Sequence, residues 1–140
     1  MTFLDPRPAI LLSEPDSERL SALAARLRPR HPAVADMLDS EIGRAAIVAS
    51  DCMPGDVATM RSHLLFGYAH SRRSHWLTLV YPAEADIDLA KLSVGTPVGA
   101  ALIGLREGQT IAWHAASGVA RSITLHRVVY QPERAGRYDL

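Results

Sequence analysis

Six histidines, one run of acids and a scatter of hydroxyls are the residues of this chain with chemistry to offer. His31, His63, His70, His75, His114 and His126 would suit a metal or a proton transfer, but none is spaced as a ligand pair with another His or with Cys52, and a metal site needs convergent ligands. His70 and His75 flank Arg72 and Arg73, a poor setting for a cation. They read as surface histidines. Glu84, Asp86 and Asp88 follow Tyr81-Pro82, but a calcium loop needs Gly at its tight turn and further oxygen ligands in register. They read as a solvated loop. Ser93, Ser122 and Thr124 act as nucleophiles only beside a base and an orienting acid. Gly95 and Gly99 lack the Lys-Ser/Thr that completes a phosphate loop. The expectation is a chain with no catalytic residue, no metal, no cofactor and no enzymatic activity.

The composition agrees with a binding role. In 140 residues, 48% hydrophobic and 21% charged, there is material for one modest domain with a small appendage and too little charge bias for disorder. Fifteen basic and fifteen acidic residues cancel, so no global field draws the chain to a nucleic-acid sequence or a membrane. A single cysteine, Cys52, rules out an internal disulfide and fits a reducing compartment. Asp5, Pro6 and Pro8 stand where a signal peptide needs a basic flank and an apolar run. The expected location is the cytoplasm.

The elements that must position any binding residues divide near Asp51-Cys52-Met53-Pro54-Gly55, with helices before and strands after. Leu20, Leu23, Ala24 and Leu27 recur at helical spacing, with Glu14, Asp16 and Glu18 early, Arg26 and Arg28 late, and Ser13 as a cap. A second helix is expected from Pro32, with Val34, Leu38, Ile42, Ala45 and Ala49 on one stripe. Two prolines in Arg28-Pro29-Arg30-His31-Pro32 stop both helices and predict an antiparallel hairpin with a basic tip. Strand-like runs follow at Asp56–Met60, His63–Tyr68, His75–Tyr81, Thr110–Trp113 and Ala120–Tyr130, which suit an antiparallel sheet. Pro97 is set to open a short helix that Gly104 or Gly108 closes.

Four ordered blocks carry a resemblance: Asp56-Val57-Ala58-Thr59-Met60-Arg61-Ser62, Leu77-Thr78-Leu79-Val80-Tyr81-Pro82, Pro97 to Leu105, and Tyr130-Gln131-Pro132-Glu133 with Ala135-Gly136. Together they resemble the Rnk family, regulators of nucleoside diphosphate kinase grouped with the GreA/GreB transcript-cleavage factors. The resemblance spans nearly the whole chain. It implies a segment 1–52 holding a short coiled-coil hairpin, then a Gre-type, FKBP-like domain over 53–140: an α+β fold with one helix packed on the sheet. It also implies docking to RNA polymerase near the secondary channel, in competition with Gre-type factors, through Gly95, Thr96, Pro97 and Val98. Ala100, Ala101 and Leu102 are edge contacts or plain core, and Pro97 is either a contact or only a helix start.

The departures from Gre factors are informative. Cleavage factors insert a long hairpin with an acidic, metal-holding tip. Here the first helix is about 14 residues, roughly 20 Å, and the tip is Arg28, Pro29, Arg30 and His31, which has no carboxylates to give a metal. Binding without stimulated cleavage is expected. The family name adds an alternative, direct contact with nucleoside diphosphate kinase. Prolyl isomerase activity would need an aromatic-lined pocket, and two Phe, two Trp and four Tyr are expected to be consumed by the core.

Overall fold

The computed structural model describes residues 7–114 and 117–138, an α+β fold. It begins with strand β1 (Leu11–Ser13), helix α1 (Glu14–Leu27), a link over residues 28–31, helix α2 (Pro32–Arg44) and strand β2 (Ala46–Val48). Ser13 caps α1 as expected: its hydroxyl accepts the Asp16 amide at 3.1 Å, satisfying one orphan donor of the first turn. Leu20, Leu23 and Ala24 are buried, and full burial of each leucine stabilises by about 1.5–3 kcal/mol.

The second helix is shorter than its apolar stripe suggests. It stops at Arg44, where Ala45 turns to extended backbone and the Ala46 amide donates to Ile10 O at 3.0 Å. Ala46–Val48 then pairs parallel with Leu11–Ser13, so Ala45 and Ala49 lie outside the helix. Local periodicity cannot register a strand partner more than thirty residues upstream.

The remaining strands are β3 (His63–Tyr68), β4 (His75–Val80), β5 (Lys91–Ser93), β6 (Thr110–His114) and β7 (Ala120–Tyr130), with helix α3 (Pro97–Leu102) between β5 and β6. They form one sheet in the order β5-β4-β3-β7-β6. It is mixed rather than antiparallel throughout, because the short β5 pairs parallel with β4. The expected strand at Asp56–Met60 is absent: the segment makes one isolated bridge, Val57 to Arg106. Val57, Ala58, Thr59 and Met60 are all buried, so the run is apolar for the sake of the core. The Ser62 hydroxyl accepts the Thr59 amide at 3.0 Å, and Arg61 has φ +64°, which turns the chain before β3. Gly104, at φ +83°, closes α3 as expected.

Ile10, Leu12, Leu20, Leu23 and Leu38 from the helical region join Leu64, Leu79, Ile103, Ile123 and Leu125 in one buried cluster. The helix pair therefore packs on the sheet's α3 side. Among the described residues no helix is long and apolar enough to cross a membrane.

Candidate functional site

The Gly95–Val98 loop is built from its backbone outward. Val80 and Ser93 pair at the end of β4 and β5, and the Val94 amide donates to Val80 O at 2.8 Å. Ser93 Oγ accepts the Gly95 amide at 2.9 Å. The Thr96 hydroxyl donates to Ser93 O at 2.7 Å and accepts the Gly99 amide at 3.2 Å, capping α3 directly before Pro97. Gly99 permits the closeness of this turn: a Cβ there would stand 2.3 Å from Ser93 O, a distance no side chain tolerates. Pro97 is exposed, Gly95, Thr96 and Val98 are half-buried, and Ala101 is 1% exposed. Ala101 therefore supports the loop from the core and presents no surface of its own.

Around Thr96 and Val98 the structure places what sequence reading missed. Phe66, Tyr68 and His75 form a mutual ring cluster with centroids 5.4 to 5.7 Å apart, and they line a groove of about 550 Å³ with Thr96 and Val98. A second hollow of about 330 Å³ lies between Pro97, Val98, Trp113 and Arg121. Phe66 is buried in the core as expected, while Tyr68 and Trp113 are only partly buried and gather with His75 beside the loop. The alternation in His63–Tyr68 was the available signal, since it points Leu64, Phe66 and Tyr68 to one face.

The helix-pair tip is closer to this loop than the sequence indicated. A Cβ on Gly95 would meet Leu27 Cδ1 at 3.2 Å, and Leu27 is the last residue of α1. Arg28, Pro29, Arg30 and His31 are all exposed. Arg28 is not a free cation: it donates to Asp36 at 2.8 Å and to Asp39 of α2, and both carboxylates hold its pKa above the ordinary value. The tip's uncompensated charge is reduced to Arg30.

Asp16 ties the start of α1 to Met60 and Tyr81 beside the sheet. It is 4% exposed, accepts the Met60 amide at 3.2 Å and the Tyr81 hydroxyl at 3.4 Å. Burial, opposed by the Met60 hydrogen bond, pushes its pKa up to about 6. Burial and the Asp16 charge push the Tyr81 phenol well above its usual value. Beside them Arg61 lies 5.6 Å over the Tyr81 ring and pairs with Glu84 at 2.9 Å. Asp16 reads in sequence as a first-turn acid. Its place on the Leu20–Leu23–Leu27 stripe, four residues before Leu20, marks it as inward-facing.

Among the described residues no group of three or more His, Cys, Asp or Glu converges to hold a metal. The histidines are dispersed: His75 stacks in the ring cluster and His63 packs on Tyr130 at 5.2 Å.

The fold is similar to that of GreA/GreB transcription elongation factors. The family model "Transcription elongation factor, GreA/GreB, C-term" matches residues 53–130, and "Rnk N-terminus" matches 8–48. A protein from Nitrosomonas europaea, described as a prokaryotic transcription elongation factor GreA/GreB, is 36% identical with a TM-score of 0.68, over 86% of this chain and 99% of its own. The chain is also 40% identical, over 96% of its length and 98% of theirs, to the proteins of Escherichia coli K12 and Shigella flexneri named "Regulator of nucleoside diphosphate kinase". The chain belongs to the Rnk family, within the GreA/GreB group. The relatives are named as regulators or elongation factors.

Proposed function

We propose that this protein is a cytoplasmic transcription-associated regulator that docks on RNA polymerase near the secondary channel and competes there with Gre-type factors. The reading divides the chain into a helical segment over 1–52, whose antiparallel coiled-coil hairpin serves as a short plug, and an FKBP-like docking domain over 53–140. The observation that carries it is the loop Gly95-Thr96-Pro97-Val98, held by Ser93 and the Thr96 cap and flanked by an apolar groove. A rigid, partly apolar loop loses little entropy on binding. The tip supports docking without transcript cleavage: its side chains are Arg28, Arg30 and His31, none of which gives a metal ion a carboxylate. Arg28 also spends the nearest two carboxylates, Asp36 and Asp39, in ion pairs.

The test is a paired assay on backtracked polymerase complexes. Pro97→Glu with Val98→Glu is expected to abolish polymerase binding with an unchanged circular dichroism spectrum, and the wild-type protein is expected to leave the transcript uncut. Retained binding by the variant, or stimulated cleavage by the wild type, contradicts the reading. The names of the relatives favour a second reading, regulation of nucleoside diphosphate kinase level or activity through direct contact. Kinase turnover measured with and without the purified protein tests it.

A further inference from the structure

The face of the large sheet that turns away from α3 is open. Leu64 and Phe66 point into the core, so their neighbours His63, Leu65 and Gly67 point outward. The register sets Leu65 between Trp76 and Arg127, and His63 between Thr78 and Tyr130. His126 sits at a register shift of β7 and covers Gly67, where a Cβ would meet its Nε2 at 2.7 Å. This outer face therefore carries a Trp that is 58% exposed, a His63–Tyr130 ring pair, His126 and Arg127. Trp76 lies where β5 no longer covers β4, so it also borders the groove.

The charge of these strands is one-sided. Residues 63–80 and 110–130 contain no Asp or Glu, yet hold Arg72, Arg73, Arg121, Arg127 and five of the six histidines. Elsewhere Arg7, Arg28, Arg44, Arg61 and Arg106 are each paired with a carboxylate. Among the described residues Arg72, Arg73 and Arg127 have no side-chain ion pair. The carboxylate that does bond to this sheet, Glu107, is held at 3.2 Å by the Val128 amide. The outer face thus carries Arg127, with Arg72 and Arg73 in the turn at its end, and no acid on its strands, whereas Arg121 turns to the hollow beside Pro97.

We propose that this outer face binds single-stranded RNA. Cations without carboxylate partners attract a phosphate backbone, and exposed rings on a sheet stack with bases that are not already stacked in a duplex. The hydroxyls of Thr78 and Ser122, on the same face, offer hydrogen bonds to ribose. The face is opposite the α3 side that carries Pro97 and Val98, and the two surfaces meet at Trp76, which also borders the groove beside that loop.

The test is fluorescence anisotropy of the full chain with a labelled single-stranded oligoribonucleotide, compared with the same sequence as DNA, with duplex RNA and with heparin as competitor. The expected result is saturable binding that prefers single-stranded RNA, weakened roughly tenfold by Trp76→Ala. Reversing Arg72 and Arg73 to Glu, in an exposed turn that does not support the core, is expected to weaken binding and lower the salt slope by about two. Pro97→Glu is expected to bind RNA as the wild type does. No binding at low salt overturns the proposal, as does full binding by Trp76→Ala. Equal affinity for single-stranded DNA overturns the assignment to RNA. Loss of binding in Pro97→Glu moves the site to the loop and equally overturns it.

Discussion

The Val94–Leu102 loop and helix, and the helix-pair tip at 28–31, lie side by side at Gly95 and Leu27, yet they are built in opposite ways. The loop is fixed by backbone hydrogen bonds, a threonine cap and a glycine that allows no Cβ, over a helix whose residues 99–102 are buried. The tip has backbone bonds from the Arg30 and His31 amides to Leu27 O, but its side chains are held by exposed ion pairs from Arg28 to Asp36 and Asp39, and such pairs contribute little in water. A surface that must present one shape to a partner is expected where the backbone is over-determined. That contrast favours the loop as the surface for the proposed docking, with the tip a short projection whose side chains are exposed.

Breaking the loop should have the largest effect. Gly99→Ala forces a methyl into Ser93 O and is expected to destabilise by about 3 kcal/mol, read as a lowered urea midpoint, with polymerase binding lost in parallel. Asp16→Asn tests the buried contact that ties α1 to Met60 and Tyr81. The folded state takes up the Asp16 proton more readily than the unfolded state, whose carboxyl titrates near 3.8. This group's contribution to stability is therefore present at low pH and lost as pH rises through about 6. At neutral pH the buried charge costs on the order of 3 kcal/mol. Thermal melts should show Asp16→Asn more stable than wild type by about 1–2 kcal/mol at pH 7, the gap closing as the pH falls from 6 towards 3.8. Thr96→Ala removes the α3 cap and is expected to cost about 1 kcal/mol, with weaker polymerase binding at an unchanged fold. Arg28→Ala should be smallest, with no measurable change in melting temperature or polymerase affinity. A large loss there would overturn the comparison.

Much of this design is legible in the residues. Ser13, Pro32, Pro97 and Gly104 mark the helix ends they serve, and the runs at 63–68, 75–80, 110–114 and 120–130 become strands. What local pattern could not supply is long-range pairing. β1 and β2 are three residues each and gain their hydrogen bonds from one another, so neither carries an alternation of its own. β5 is equally short and depends on β4. Asp56–Met60 reads as a strand because burial on all sides imitates a fully buried strand. At the site, Gly95–Val98 were visible as a turn into a helix, but the ring cluster beside them required knowing that β3 and β4 pair with Phe66 opposite His75.

The most direct measurement is a titration of labelled protein against bacterial core RNA polymerase, repeated with excess Gre factor. The account predicts saturable binding that the Gre factor displaces, and that Pro97→Glu removes while Arg28→Ala preserves. Binding that survives both the competitor and Pro97→Glu, or no binding at physiological salt, would contradict it.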